Sequence, residues 1–80
     1  MLYWYLEIIM TNETIDPRIA EKLKAIRLSK SLTQLDLAEK AGINANYYSK
    51  VERGEAVPSL ATFEKILKAL RVKSSDVLPY

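Results

Sequence analysis

The chain contains no cysteine and no histidine. The first absence excludes disulfides and thiolate sites. The second removes the commonest zinc ligand and the usual general base at neutral pH. Catalysis would then need paired carboxylates or an activated lysine in a pocket, and no such grouping stands out. The expectation is no enzyme, no metal and no cofactor. Glycine and proline are nearly as scarce, two and three among 80 residues, so little material is left for loops. The longest apolar run, at the N-terminus, is about half of the ~20 residues needed to cross a bilayer. It also lacks the basic start and small-residue cleavage site of a secretory signal, so the chain is expected in the cytoplasm.

What is present describes one small helical domain. Hydrophobic residues make up 49% and charged residues 28%, a balance typical of compact domains. Eighty residues are enough for a modest core but leave no room for a separate sensor domain. The net charge of +2 is unevenly spread. Residues 1–17 carry Glu7, Glu13 and Asp16 and no cation. The remainder carries twelve cations against seven anions, a balance of +5. A moderately basic body suits a polyanionic partner without demanding one.

Two regions differ in pattern: residues 1–16, a strand and linker, and residues 17–80, a helical domain. In "MLYWYLEII", Leu2, Trp4, Leu6, Ile8 and Met10 alternate with Tyr3, Tyr5 and Glu7, the period of a β-strand. Such a strand could fold back on its own domain, pair with its twin in a dimer, or lie upstream of a start at Met10. Pairing with the twin is the expectation. Asp16 and Pro17 then open the first of five helices, a capping side chain followed by proline at the first helical position. That helix runs to about Ser29 with Ile19, Leu23 and Ile26 inward. Thr33 and Asp36 form a capping-box-like pair at the start of the second. Gly42 ends it and Asn44 caps the third, which continues to about Arg53. Ser59 caps the fourth, whose apolar face is Leu60, Phe63, Ile66, Leu67 and Leu70. A short fifth helix is expected around Ser75 to Leu78. A helix ended at Gly42 and restarted at Asn44 turns sharply, the signature of a helix-turn-helix.

"LTQLDLAEKAGI", "YYSKVERGE" and "PSLATFEKILKAL", in that order and spacing, resemble the phage-repressor and Cro-like proteins of the XRE family. The resemblance spans roughly Ile19 to Leu78. It implies an all-α, five-helix lambda-repressor-like domain, here with the extra N-terminal strand. It also implies a sequence-specific regulator, a small repressor or controller protein, that binds double-stranded DNA as a homodimer. By that resemblance the third helix enters the major groove, with Ala45, Asn46, Ser49 and Lys50 at base-contacting positions. Gln34 and Arg53 correspond to phosphate contacts, and Arg27 with Glu52 to an ion pair joining the first and third helices. The side-chain chemistry agrees: an asparagine suits the N6 and N7 edge of adenine, a lysine suits guanine, and alanine can pack on a thymine methyl. Asn44 and Tyr47 carry two readings each. Asn44 is a helix cap that could also meet a phosphate, and Tyr47 is either packing or a phosphate contact through its hydroxyl. Tyr48, on the side of Val51, reads as core. The chain departs from the family at Arg71, where glycine is usual, and at Lys73, where a serine or threonine cap is usual. An alternative function is a protein-interaction module, such as an antitoxin, whose main ligand is a protein partner.

Overall fold

A computed structural model describes residues 16–78. They form α1 (Pro17–Ser29), α2 (Gln34–Ala41), α3 (Ala45–Glu52) and α4 (Leu60–Leu70), followed by a 3-10 turn at Ser74–Asp76.

Each helix begins where a side chain satisfies an orphan backbone donor. The Asp16 carboxylate accepts from the Arg18 N–H at 2.9 Å. Thr33 Oγ1 accepts from the Asp36 N–H at 3.0 Å, while the Thr33 N–H donates back to Asp36 Oδ2 at 3.0 Å. Asn44 Oδ1 accepts from the Tyr47 N–H at 3.1 Å, and Ser59 Oγ from the Thr62 N–H at 3.2 Å.

The helix ends share one device. After α2 the Ile43 N–H reaches back to the Ala38 carbonyl and the Gly42 N–H to that of Glu39, with Gly42 in the left-handed region at φ 71°. This is the Schellman closure. The same pair of bonds recurs after α1, α3 and α4, centred on Ser31, Gly54 and Arg71. Ser31 and Arg71 therefore hold φ 58° without being glycine, a conformation that costs an L-residue roughly 1–2 kcal/mol. At three of the four ends the next residue, Leu32, Ile43 or Val72, packs against the core. Those contacts help to hold the strained positions.

The core draws Ile19 and Leu23 from α1, Leu37 and Ala38 from α2, Tyr48 and Val51 from α3, and Phe63, Ile66 and Leu70 from α4. Burying each large apolar side chain contributes about 1.5–3 kcal/mol. Helix α2 packs on both α3 and α4, and α1 packs on α3. The helix-turn-helix pair is therefore clamped from both sides.

Two expectations about the fold are corrected. The described residues form four α-helices rather than five, and they contain no strand. The segment expected as a fifth helix is a single 3-10 turn of three residues. Val77 and Leu78 are buried there, but one short turn is enough to turn them inwards. Pro79 in the sequence disfavours helical conformation at Leu78, the residue before it. At its start Asp76 Oδ2 accepts from the Lys73 N–H at 2.9 Å, the half of a capping box that does not need a serine or threonine at the cap. The N-terminal strand was expected over residues that lie outside those described.

Candidate nucleic-acid interface

Helix α3 divides into two faces. Tyr48 and Val51 are fully buried, and Glu52, four residues after Tyr48, lies on the same side. On the other face Asn46 and Lys50 are exposed, with Ser49 half-buried beside them and Arg53 exposed one turn further on. These four follow the i, i+3, i+4, i+7 spacing of a single helical stripe. Ala45 and Tyr47 are half-buried at the start of the helix. Between Asn44 and Val51 the sequence carries no carboxylate, so nothing acidic faces outward from this stretch.

The sharp entry to α3 follows from its local sequence. Gly42 turns the chain, Ile43 anchors it in the core, and Asn44 caps the new helix. Only two residues separate the C-cap of α2 from the start of α3. The capping bond commits the Asn44 side-chain oxygen to the Tyr47 N–H. The amide nitrogen is then the part of Asn44 that can meet another group. Burial pushes the Tyr47 hydroxyl above its ordinary titration range, so it stays a neutral donor and acceptor.

Beneath this surface lies a buried ionic centre. Arg27 Nε donates to Glu52 Oε2 at 2.6 Å and Arg27 Nη2 to Glu52 Oε1 at 3.1 Å. The two side chains are only 8% and 2% exposed. The third arm of the guanidinium, Nη1, donates to the Leu32 carbonyl at 2.7 Å, just ahead of α2. Gln34 Nε2 adds a bond to Glu52 Oε1 at 3.1 Å. One buried pair thus ties α1, the entry to α2 and the end of α3 together. Burial alone would raise the Glu52 carboxyl, but the bonds from Arg27, the nearby Tyr48 hydroxyl and the bond from Gln34 outweigh it and hold the group below the ordinary range. The Glu52 bond raises Arg27 against the opposing effect of burial. The Tyr48 hydroxyl is buried alongside this pair, without a partner at hydrogen-bond distance. Desolvation, reinforced by the neighbouring carboxylate, pushes it far above the usual phenol range.

Arg53 is occupied rather than open. Its Nε and Nη2 donate to the Glu55 carboxylate at 2.9 and 3.3 Å, and Nη1 donates to Ser49 Oγ at 2.6 Å. Both ends of the Arg53–Glu55 pair are about half exposed, so water screens it and a stronger anion can compete for the guanidinium. Sequence reasoning assigned Arg53 to phosphate without noticing Glu55; the Arg-x-Glu spacing was the available signal. The bond from Gln34 to Glu52 was missed as well, because 18 residues and two helices separate the partners. Among the described residues, no group of three or more acidic, histidine or cysteine side chains is placed to hold a metal. No helix there is long and apolar enough to cross a membrane.

Comparison with known proteins gives consistent neighbours. The helix-turn-helix family profile matches residues 23–77. Over 72 residues the chain is 42% identical to the control protein C.BamHI of Bacillus amyloliquefaciens, covering 89% of this chain and 88% of that one. It is 38% identical over 60 residues to the immunity repressor protein of Bacillus phage phi105, where the match covers 75% of this chain but 42% of the repressor. Among solved structures, the restriction-modification controller protein C.AhdI from Aeromonas hydrophila superposes with a TM-score of 0.74 at 30% identity. That match covers 76% of this chain and 92% of the other. A point mutant of the controller protein C.Esp1396I gives a TM-score of 0.69 at 33% identity, covering 72% of this chain and 73% of that one.

Proposed function

Because the chain belongs to the XRE-type helix-turn-helix family, we propose that it is a sequence-specific DNA-binding transcriptional regulator, a small repressor or controller protein of the cytoplasm. It lays α3 in the major groove and acts as a homodimer on a two-fold operator. The observation that carries this reading is the division of α3. A face without carboxylates presents Asn46, Ser49 and Lys50, while Tyr48 and Val51 lock the opposite face into the core. In that pose Asn46 reads an adenine edge, Lys50 donates to guanine, Ser49 meets a third base and Ala45 packs on a thymine methyl. Gln34, Asn44 and Tyr47 beside the stripe, and Arg53 at its far end, act as phosphate contacts and set the register. Arg53 exchanges Glu55 for phosphate on binding.

A domain this small buries too little against one half-site to bind tightly, which favours two copies on half-sites about 34 Å apart. Selection of bound duplexes from a random pool, followed by mobility shift at graded salt, tests the reading. The expected result is a two-fold site, a complex containing two protomers and an affinity that falls steeply with salt. No retardation on selected or random DNA at moderate salt would overturn it and leave a protein ligand as the better reading.

A further inference from the structure

The buried ionic centre reaches the proposed interface through one side chain. Gln34 is half-buried at the first position of α2, and its amide nitrogen donates to Glu52 Oε1 at 3.1 Å. A primary amide has two unlike ends, one oxygen that accepts and one nitrogen that donates twice. An ionised carboxylate accepts only, so the bond is possible in just one of the two amide orientations. Arg27 secures that ionised state with two donated bonds, on a side chain that is 2% exposed. The Gln34 nitrogen is thereby fixed against Glu52, and its second N–H is left without a protein partner among the described residues' hydrogen bonds.

We infer that Glu52 is a positioning residue for DNA binding: held by Arg27, it fixes the Gln34 amide so that this second N–H is presented to a backbone phosphate. The inference rests on the assignment of Gln34 as a phosphate contact and deepens it. A phosphate accepts hydrogen bonds and cannot donate them, so an amide turned the other way would set oxygen against oxygen. Fixing the orientation before binding removes the cost of sorting the two rotamers on the DNA. It also joins two properties that could have been separate. The same carboxylate closes α1 onto α3 and aims the first residue of α2.

A double-mutant cycle on DNA affinity tests this, using a random-sequence duplex and fluorescence anisotropy at fixed salt. Gln34→Ala is expected to weaken binding roughly tenfold. Glu52→Gln keeps the side chain's size but removes its acceptor-only character, and is expected to weaken binding to a similar extent. Gln34→Ala made on top of Glu52→Gln should then cost little more. Full additivity, with the single Gln34→Ala still weakening binding, overturns the positioning role and leaves the phosphate contact standing. A Gln34→Ala variant that binds as the parent does overturns the phosphate contact, and this inference with it. Should Glu52→Gln fail to fold, 15N relaxation of the Gln34 side-chain amide in the DNA-free parent decides the matter. Order close to that of the rigid backbone (roughly 0.85) supports it, and a freely reorienting amide overturns it.

Discussion

Replacing Arg27 with methionine should destabilise the domain in a way that depends on pH. The substitution deletes three donated bonds, two to Glu52 and one to the Leu32 carbonyl. Glu52 keeps the bond from Gln34 and little else, on a side chain with almost no access to water. Removing one partner of a buried pair costs about 3–5 kcal/mol. The carboxyl can limit that cost by taking up a proton. An ordinary glutamate titrates near about 4.3, so neutralisation costs about 3.7 kcal/mol at pH 7 and about 1 kcal/mol at pH 5. These values are ceilings on the charge penalty. The orphaned Leu32 carbonyl adds about 1–3 kcal/mol at either pH. In the parent, Glu52 is held below its ordinary range. Its contribution is therefore fully present above about pH 4.3 and is lost only as the pH falls through the lowered folded value. Both test conditions lie above that window, so the parent serves as a flat reference for this group. Urea unfolding at the two pH values, followed by circular dichroism, reads the difference. The loss should be larger at pH 7 than at pH 5 by at least about 1 kcal/mol. A second change, Glu52→Met, should recover part of it at pH 7. Equal losses at both pH values, or simple additivity in the double variant, would refute the idea that an uncompensated buried charge is the cause.

Three further outcomes follow from the helix ends and the exposed stripe. Arg71→Gly should stabilise by about 0.5–1 kcal/mol, because relief of left-handed strain outweighs the added chain entropy; an unchanged thermal midpoint would count against strain at that position. Gly42→Ala should cost about 1 kcal/mol through backbone conformation alone, since a methyl there would meet nothing within 4 Å; a loss of several kcal/mol in chemical denaturation would mean that the turn tolerates less than its open surroundings suggest. Asn46→Ala should weaken the selected site by about 1–3 kcal/mol and relax preference at one base pair. Competition against single-base variants checks this, and a uniform loss on all sequences would make Asn46 a phosphate contact instead.

Helix starts were legible in the sequence because they depend on local chemistry. Asp16 with Pro17, Thr33 with Asp36, Asn44 and Ser59 each satisfy a donor within three residues, so their identity alone marks the position. The left-handed residues that close the helices were marked by residue type only at Gly42 and Gly54. Ser31 gives no such signal, and its left-handed backbone is set by Leu32 settling into the core and bonding back to Arg27. The expected fifth helix failed for a related reason. Val77 and Leu78 carry a hydrophobic signal that a single 3-10 turn satisfies as well as a full helix does. At the interface, the two-faced character of α3 could be read from periodicity. The partner of Gln34 could not, since 18 residues separate it from Glu52 and residue type does not say which distant neighbour a polar side chain chooses.

The link between α2 and α3 has a mechanical consequence. Gly42 and Ile43 hold two backbone bonds to α2, and Asn44 caps α3 at once, so the short link between the two helices is tied to both of them. The Arg27–Glu52 pair closes the far end of α3 onto α1. A rod pinned at both ends cannot tilt to suit the surface it meets. Any mismatch in fit must therefore be taken up elsewhere, in the long side chains of the exposed stripe, in the setting of one domain against another, or in the shape of the partner itself.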